Sequence, residues 1–309
     1  MKIRRFLIGL IFLVVFTLLF CGASRSGIYF EMSDPVGDEH GYGTYQYPTN
    51  IAFKPYQGLF DITGFKVAPG GGGVVCFDTI FLNVTNPWMA PEGFIHQNLR
   101  IFIDTKPRQG LVILPHPGAN VKFNPKYAWE ICLRIVGWGN SQLLALEDSN
   151  TLRAHPLRVE LLADKHTIRA YVPESYIGKP AKNWHYYVLV GSYDGFGEDF
   201  FRKLSPKPGE WVIGGGHDLN IEPRVLDILA PKSGAHSQAA QLRSFNPEKG
   251  QFAEMHPVGS DLLIISPLVW LTICLIILLL SGAVYLICKK PSRISWFWIR
   301  HNIKDLEGK

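Results

Sequence analysis

Three acidic residues fall within six positions at the start of the stretch Asp34-Pro35-Val36-Gly37-Asp38-Glu39-His40-Gly41-Tyr42-Gly43-Thr44-Tyr45-Gln46-Tyr47-Pro48-Thr49. Hard cations such as Ca²⁺ take several oxygen ligands at once, from carboxylates and from backbone carbonyls. The interspersed glycines let the chain turn sharply enough to offer both. The spacing departs from the EF-hand pattern, so other segments must complete a site. Asp34 and Asp38 are the candidate calcium ligands within the loop. Asp61, in Gly58-Leu59-Phe60-Asp61-Ile62, and Asp104, ending Ile101-Phe102-Ile103-Asp104, are the candidates from elsewhere. The alternative is a solvated acidic turn held by Asx hydrogen bonds.

Tryptophan is the second feature with chemistry in it. Trp88, Trp129, Trp138, Trp184 and Trp211 lie between the two apolar ends of the chain. A flat indole can stack on the C–H face of a sugar while nearby polar groups hold its hydroxyls, and such sites are mostly apolar with a few placed polar atoms. Buried indoles instead fill cores. Trp129 and Trp211 sit in alternating segments and are expected in the core. Trp88 follows Asn86-Pro87 in a loop, and Trp138 lies between two glycines at a strand end. These two are the candidate contact residues, with Tyr42 and Tyr45 of the acidic loop behind them. Core or loop packing is the competing role for each.

Motifs of catalysis are missing. There is no G-x-S-x-G elbow, no H-E-x-x-H, no phosphate-binding Gly-Lys loop and no C-x-x-C pair. Nine His and three Met (Met32, Met89, Met255) lie between Arg25 and Gly259. Such residues can ligate haem iron, so a haem or redox domain is one alternative. A structural scaffold for a surface enzyme is another.

The elements that must carry these residues are short strands. Trp129, Ile131, Leu133 and Ile135 alternate with Glu130, Cys132, Arg134 and Val136. Leu157–Leu161 and Ile168–Val172 alternate likewise, with Asp164-Lys165-His166 between them as a hairpin turn. Further strands are expected over 74–84, 99–104, 186–192 and 210–214. Gly and Pro clusters separate them. Helix is confined to single turns near 173–177 and 238–245. The class is all-β, a β-sandwich of immunoglobulin-like or jelly-roll-like kind over 25–245, followed by a polar linker over 246–261. Cys76 and Cys132 lie in predicted strands and either pair or stay buried as free thiols.

The two ends point to a membrane. Lys2, Arg4 and Arg5 precede an apolar run from Phe6 to Phe20 and the small residues Gly22, Ala23 and Ser24. Residues 1–24 are therefore expected as a secretory signal. Residues 262–288 run without a charge, long enough to span a bilayer as one helix, and Lys289 and Lys290 follow directly. Basic residues stay on the inner side, which places the tail 289–309 in the cytoplasm and the sandwich outside. The net charge of +5 belongs to these ends, because 22 basic and 23 acidic residues balance between Arg25 and Gly259. No basic face for nucleic acid is expected.

The segments DPVGDEHGYGTYQYPTN and GLFDITGFKV resemble the C-terminal binding-module family of glucodextranases and related pullulan- or starch-acting enzymes. NPWMAPEGFIHQ, IFIDT, GANV, AWEICLRIVGWGN, VPESYIG, YYVLVGSYDGFG, GEWVIGGG and EPRVLDILAP follow in the same order. That family is similar to family-nine carbohydrate-binding modules, which are β-sandwiches with structural calcium, and to the wider DOMON-like group. The resemblance implies a module that binds a glycan or cell-envelope polysaccharide and does not hydrolyse it. A surface glycoside hydrolase or a transporter is the further partner it suggests.

Overall fold

The computed structural model describes residues 27–148, 151–217 and 220–262, with positions 277, 281 and 282. The expected signal over 1–24, nearly all of the apolar stretch 262–288 and the tail 289–309 lie outside them. Among the described residues no helix is long and apolar enough to cross a membrane.

The described residues form fourteen strands: β1 (Phe30–Ser33), β2 (Ile62–Gly71), β3 (Val74–Phe81), β4 (Gln97–Asp104), β5 (Val121–Phe123), β6 (Ile131–Ile135), β7 (Gln142–Leu146), β8 (Leu152–Pro156), β9 (Arg158–Leu161), β10 (Thr167–Pro173), β11 (His185–Ser192), β12 (Asp227–Ile228), β13 (Ala253–Met255) and β14 (Val258–Gly259). Two single-turn helices, α1 (Glu174–Ile177) and α2 (Gln238–Leu242), are the α-helical elements of this unit.

One antiparallel sheet runs β1-β2-β3-β10-β9 and another runs β12-β11-β4-β6-β7-β8, with β14 also on β11. They pack face to face. Tyr186 of β11 meets Phe30, Phe65 and Phe77 of the five-stranded sheet, with ring centroids 5.0, 5.6 and 6.5 Å away. Each aromatic ring so buried stabilises the fold by about 1.5–3 kcal/mol. Period-two alternation sends the next residue, Tyr187, to the opposite face, where its ring lies 4.9 Å from Phe123, itself 4.4 Å from Phe102. The seven-stranded sheet is therefore covered on both faces, and every residue of β4 and β11 is buried.

The expected hairpin holds: Asp164 receives the amides of His166 and Thr167 and turns β9 into β10. The polar linker expected over 246–261 is instead part of the sandwich unit. β13 runs parallel to β5, and β14 pairs with the start of β11. Ala253 and Met255 are fully buried while Glu254 between them faces out. Its polarity was that of one exposed strand face. The strand expected at 210–214 is reduced to bridges at Ile213 and Gly214, so Trp211 stands on a loop. Cys76 and Cys132 are buried free thiols in different sheets.

Candidate functional site

Four carboxylates gather where the β1–β2 edge of one sheet meets the β12 edge of the other. Carboxylate oxygens of Asp34, Asp38 and Asp227 all lie within 4.8 Å of one another. Asp34 follows β1, Asp227 begins β12, and Asp61 immediately precedes β2. The backbone fixes one oxygen of each: Asp34 Oδ1 accepts from the Ala230 amide at 2.9 Å, Asp61 Oδ2 from Gly37 at 2.8 Å, and Asp227 Oδ2 from Ile62 at 2.7 Å. The second oxygens of Asp34 and Asp61, together with Asp38 Oδ1, are buried without a hydrogen-bond partner among the described residues. Buried carboxylate oxygens require a donor or a cation.

The electrostatics agree. Burial, reinforced by the charges of Asp38 and Asp61, pushes the Asp34 carboxyl up to about 8 against the pull of the Ala230 amide. Asp61 is pushed up to about 6, chiefly by burial and then by Glu39 and Asp38. Asp38 and Asp227 are also raised, by burial first. An all-oxygen, anionic donor set of this kind fits a hard cation such as Ca²⁺. Asp38 also lines a cavity of about 330 Å³ with His40, Tyr42, Lys232 and Arg243.

Of the four aspartates that the sequence singles out, the fold brings Asp34, Asp38 and Asp61 together. Asp104 lies elsewhere, at the far end of β4, where its Oδ2 is 2.9 Å from His185 Nδ1. The fourth member is Asp227, in the EPRVLDILAP segment, which lies far along the chain in a mostly apolar run and carries no local acidic pattern.

Tyr42 and Tyr45 are not exposed contact residues. Both turn inward, packing edge to face with centroids 5.1 Å apart. Tyr42 Oη donates to Glu222 at 2.6 Å and Tyr45 Oη donates to the Pro223 carbonyl at 2.5 Å. Burial, then the Glu222 hydrogen bond, pushes Tyr42 up to about 12. They lock the acidic loop onto the segment that leads to Asp227. Gly41, at φ 60°, leaves no room for a Cβ beside the Tyr45 ring, which explains glycine there. Glu39 completes the loop by accepting from Tyr47 Oη and from the Gly58 and Phe60 amides.

The loops at the Gln97–Ser192 end carry the exposed aromatics. Trp88 and Trp138 are 42% and 46% exposed, and so is Trp211 at 40%, against the core position expected for it. Trp88 and Trp211 lie side by side with centroids 5.9 Å apart. Phe53 and His96 back them, 6.0 Å from Trp211 and 5.6 Å from Trp88. Asn50 and Glu210, hydrogen-bonded to each other at 2.8 Å, lie near in sequence to Phe53 and Trp211. Trp138 occupies a turn at φ 63°, its amide and that of Gly139 held by Glu92 of the Trp88 loop. Trp129 and Trp184 are buried, Trp129 as expected for the core. Of the methionines, Met255 is sealed in the core and Met89 is exposed.

A two-sheet domain with an acidic edge site and aromatic loops defines a β-sandwich of the binding-module class. The chain belongs to the family of the C-terminal, SLH-like binding module of glucodextranase, whose profile matches residues 29–257. That family is a binding module and not a catalytic domain. No protein of curated function matches the sequence.

Proposed function

We propose that this protein is a non-catalytic glycan-binding module displayed outside the cell membrane. The observation that carries it is the exposed Trp88–Trp211 pair, on loops of a chain belonging to a binding-module family. The two indoles offer adjacent apolar faces, Trp138 adds a third ring on the neighbouring turn, and Asn50 and Glu210 supply hydroxyl partners. The ligand is an α-glucan or a polysaccharide of the cell's own envelope. Segment 1–24 directs export, segment 262–288 anchors the chain, and the basic tail 289–309 remains inside. A calcium ion held by Asp34, Asp38, Asp61 and Asp227 stabilises the sandwich by tying the edges of its two sheets. A surface glycoside hydrolase or a transporter is the protein partner this arrangement would serve.

Titration of the full chain with dextran, maltodextrins and envelope glycans, followed by indole fluorescence and calorimetry, tests the proposal. Saturable binding is expected, weakened about tenfold, or ~1.4 kcal/mol, by Trp88→Ala or Trp211→Ala. Absence of binding to every glycan, or unchanged affinity in the double variant, overturns it.

A further inference from the structure

The face of the seven-stranded sheet turned away from its partner sheet carries a buried arginine pair. The ladder sets Leu189, Arg100 and Arg134 side by side on that face, one step from Tyr187, Phe102 and Cys132. Arg100 is 1% exposed; its Nη2 lies 3.0 Å from Asp199 Oδ2 and donates to the Asp199 carbonyl at 2.8 Å. Arg134 Nη1 donates to Asp199 Oδ1 at 3.1 Å. One carboxylate thus serves two guanidinium groups. The next acid, Glu198, is taken by Arg224 at 2.9 Å. Arg134 Nη2 donates in turn to Gln142 Oε1 at 2.5 Å, and three arginines share two carboxylates, so the cluster carries an excess positive charge. Arg134 Nε and Asn98 Oδ1 are also buried without hydrogen-bond partners among the described residues. Leaving a buried donor without a partner is costly.

A cavity of about 330 Å³ opens beside this cluster, lined by His116, Pro117, Arg134 and the turn Gly197–Phe200. The Phe200 ring lies 5.4 Å from the Arg134 guanidinium. Asp199 and Phe200 hold left-handed backbone, at φ 45° and 65°, conformations that cost non-glycine residues energy and collect at ligand sites. Glu198 stands at the rim, its side chain 60% exposed.

We infer that this cavity is a second glycan subsite that takes a carboxylate-bearing sugar, a uronic acid residue. The carboxylate supplies the missing negative charge to Arg134, with His116 across the cavity. Phe200 and Pro117 receive the ring's apolar face, and Glu198 accepts hydroxyl protons. The volume sits at the small end of ligand pockets, which suits one sugar residue. The inference deepens the glycan-binding proposal and rests on it, but uses a different face and different residues.

The test is titration of the full chain with methyl β-D-glucuronide, methyl β-D-glucoside and acetate, by calorimetry or ligand-observed NMR. The glucuronide is expected to bind at least about tenfold tighter than either control and to weaken with added salt. Arg134→Gln should lose about tenfold, and His116→Asn, at an exposed position where misfolding is not a concern, a few-fold. Trp88→Ala should leave glucuronide binding unchanged. Equal affinity for glucuronide and glucoside, or no effect of either pocket variant, overturns the subsite. Acetate binding as tightly as the glucuronide overturns the sugar and leaves only an anion pocket. Loss of dextran and maltodextrin binding with glucuronide binding intact would fail the Trp platform alone, and the converse would fail this subsite alone.

Discussion

The acidic edge site makes chelated protein lose stability as pH rises, the opposite of the usual acid-labile behaviour. The Asp34 carboxyl titrates at 3.8 in an unfolded chain and is raised to about 8 in the cation-free fold. Between those values the folded state keeps a proton that the unfolded state releases. Folded stability is therefore full below about pH 4 and falls through the window up to about 8, by up to ~1.4 kcal/mol per pH unit. From pH 5 to pH 8 this one group accounts for about 4 kcal/mol, and Asp61, raised to about 6, adds to the loss below that value. For a unit of this size about 1 kcal/mol moves Tm by roughly 2–4 °C. Scanning calorimetry of EGTA-treated protein should then show Tm falling by roughly 8–16 °C between pH 5 and 8. Ca²⁺ at about 100 times its Kd should add ~2.7 kcal/mol at pH 8 and so offset much of the fall, and at about 1,000 times its Kd ~4.1 kcal/mol. The calcium effect should shrink toward pH 5, where protons replace the cation. A Tm that ignores chelator at pH 8, or a flat pH profile without calcium, would refute both the placement of the charges and the cation.

Three further outcomes test the geometry. Tyr42→Phe removes the hydrogen bond to buried Glu222 and should cost about 1–3 kcal/mol in urea unfolding, with glycan affinity unchanged; a loss of affinity at full stability would return Tyr42 to the contact surface. Arg100→Met leaves Asp199 with only Arg134 and should destabilise by about 3–5 kcal/mol, and a neutral result would contradict its full burial. Cys132, fully buried with its thiol pushed up to about 12 chiefly by that burial, should resist thiol reagents in the native protein and react within the unfolding transition, and native-state labelling would contradict its position in the core.

Much of the sandwich is legible in the sequence because alternation reports burial. The runs around Leu133, Val159 and Ala170 show one buried face, and each is a strand. β4 carries a different pattern. Asn98, Arg100 and Asp104 look like solvent positions, yet all are buried because loops cover that face of the sheet. Alternation says which residues differ in environment and not which side is wet. The same limit misplaced Trp211, whose GEWVIGGG segment alternates without pairing as a strand, and the polar 246–261 stretch, whose outward residues hid β13. The acidic loop drew notice by its local density of carboxylates, and three of the four aspartates it suggested converge. Asp227 was invisible because its role depends on β12 pairing with β11, a contact between distant parts of the chain. Asp104 was misplaced for the mirror reason: a strand-end aspartate says nothing about which end of the sheet it occupies.

The positions of the two sites divide their tasks. The carboxylates sit between sheet edges: Asp34, Asp61 and Asp227 each hold a backbone amide of another segment, and the second oxygens of Asp34 and Asp61, with Asp38 Oδ1, have no partner among the described residues. Asp34 fixes Ala230, Asp227 fixes Ile62, and Asp61 fixes Gly37, so the chain is cross-stitched from both sheets around the unpartnered oxygens. A cation held there would act on the spacing of the sheets. Trp88, Trp138 and Trp211 stand on loops, where exposed rings are held by backing residues such as Phe53, His96 and Glu92. A loop presented by a sandwich keeps its shape only while the strands beneath it stay in register. On the proposed function, calcium would serve recognition through the scaffold and the indoles would serve it directly. That separation lets the contact loops vary without disturbing what holds the sheets together.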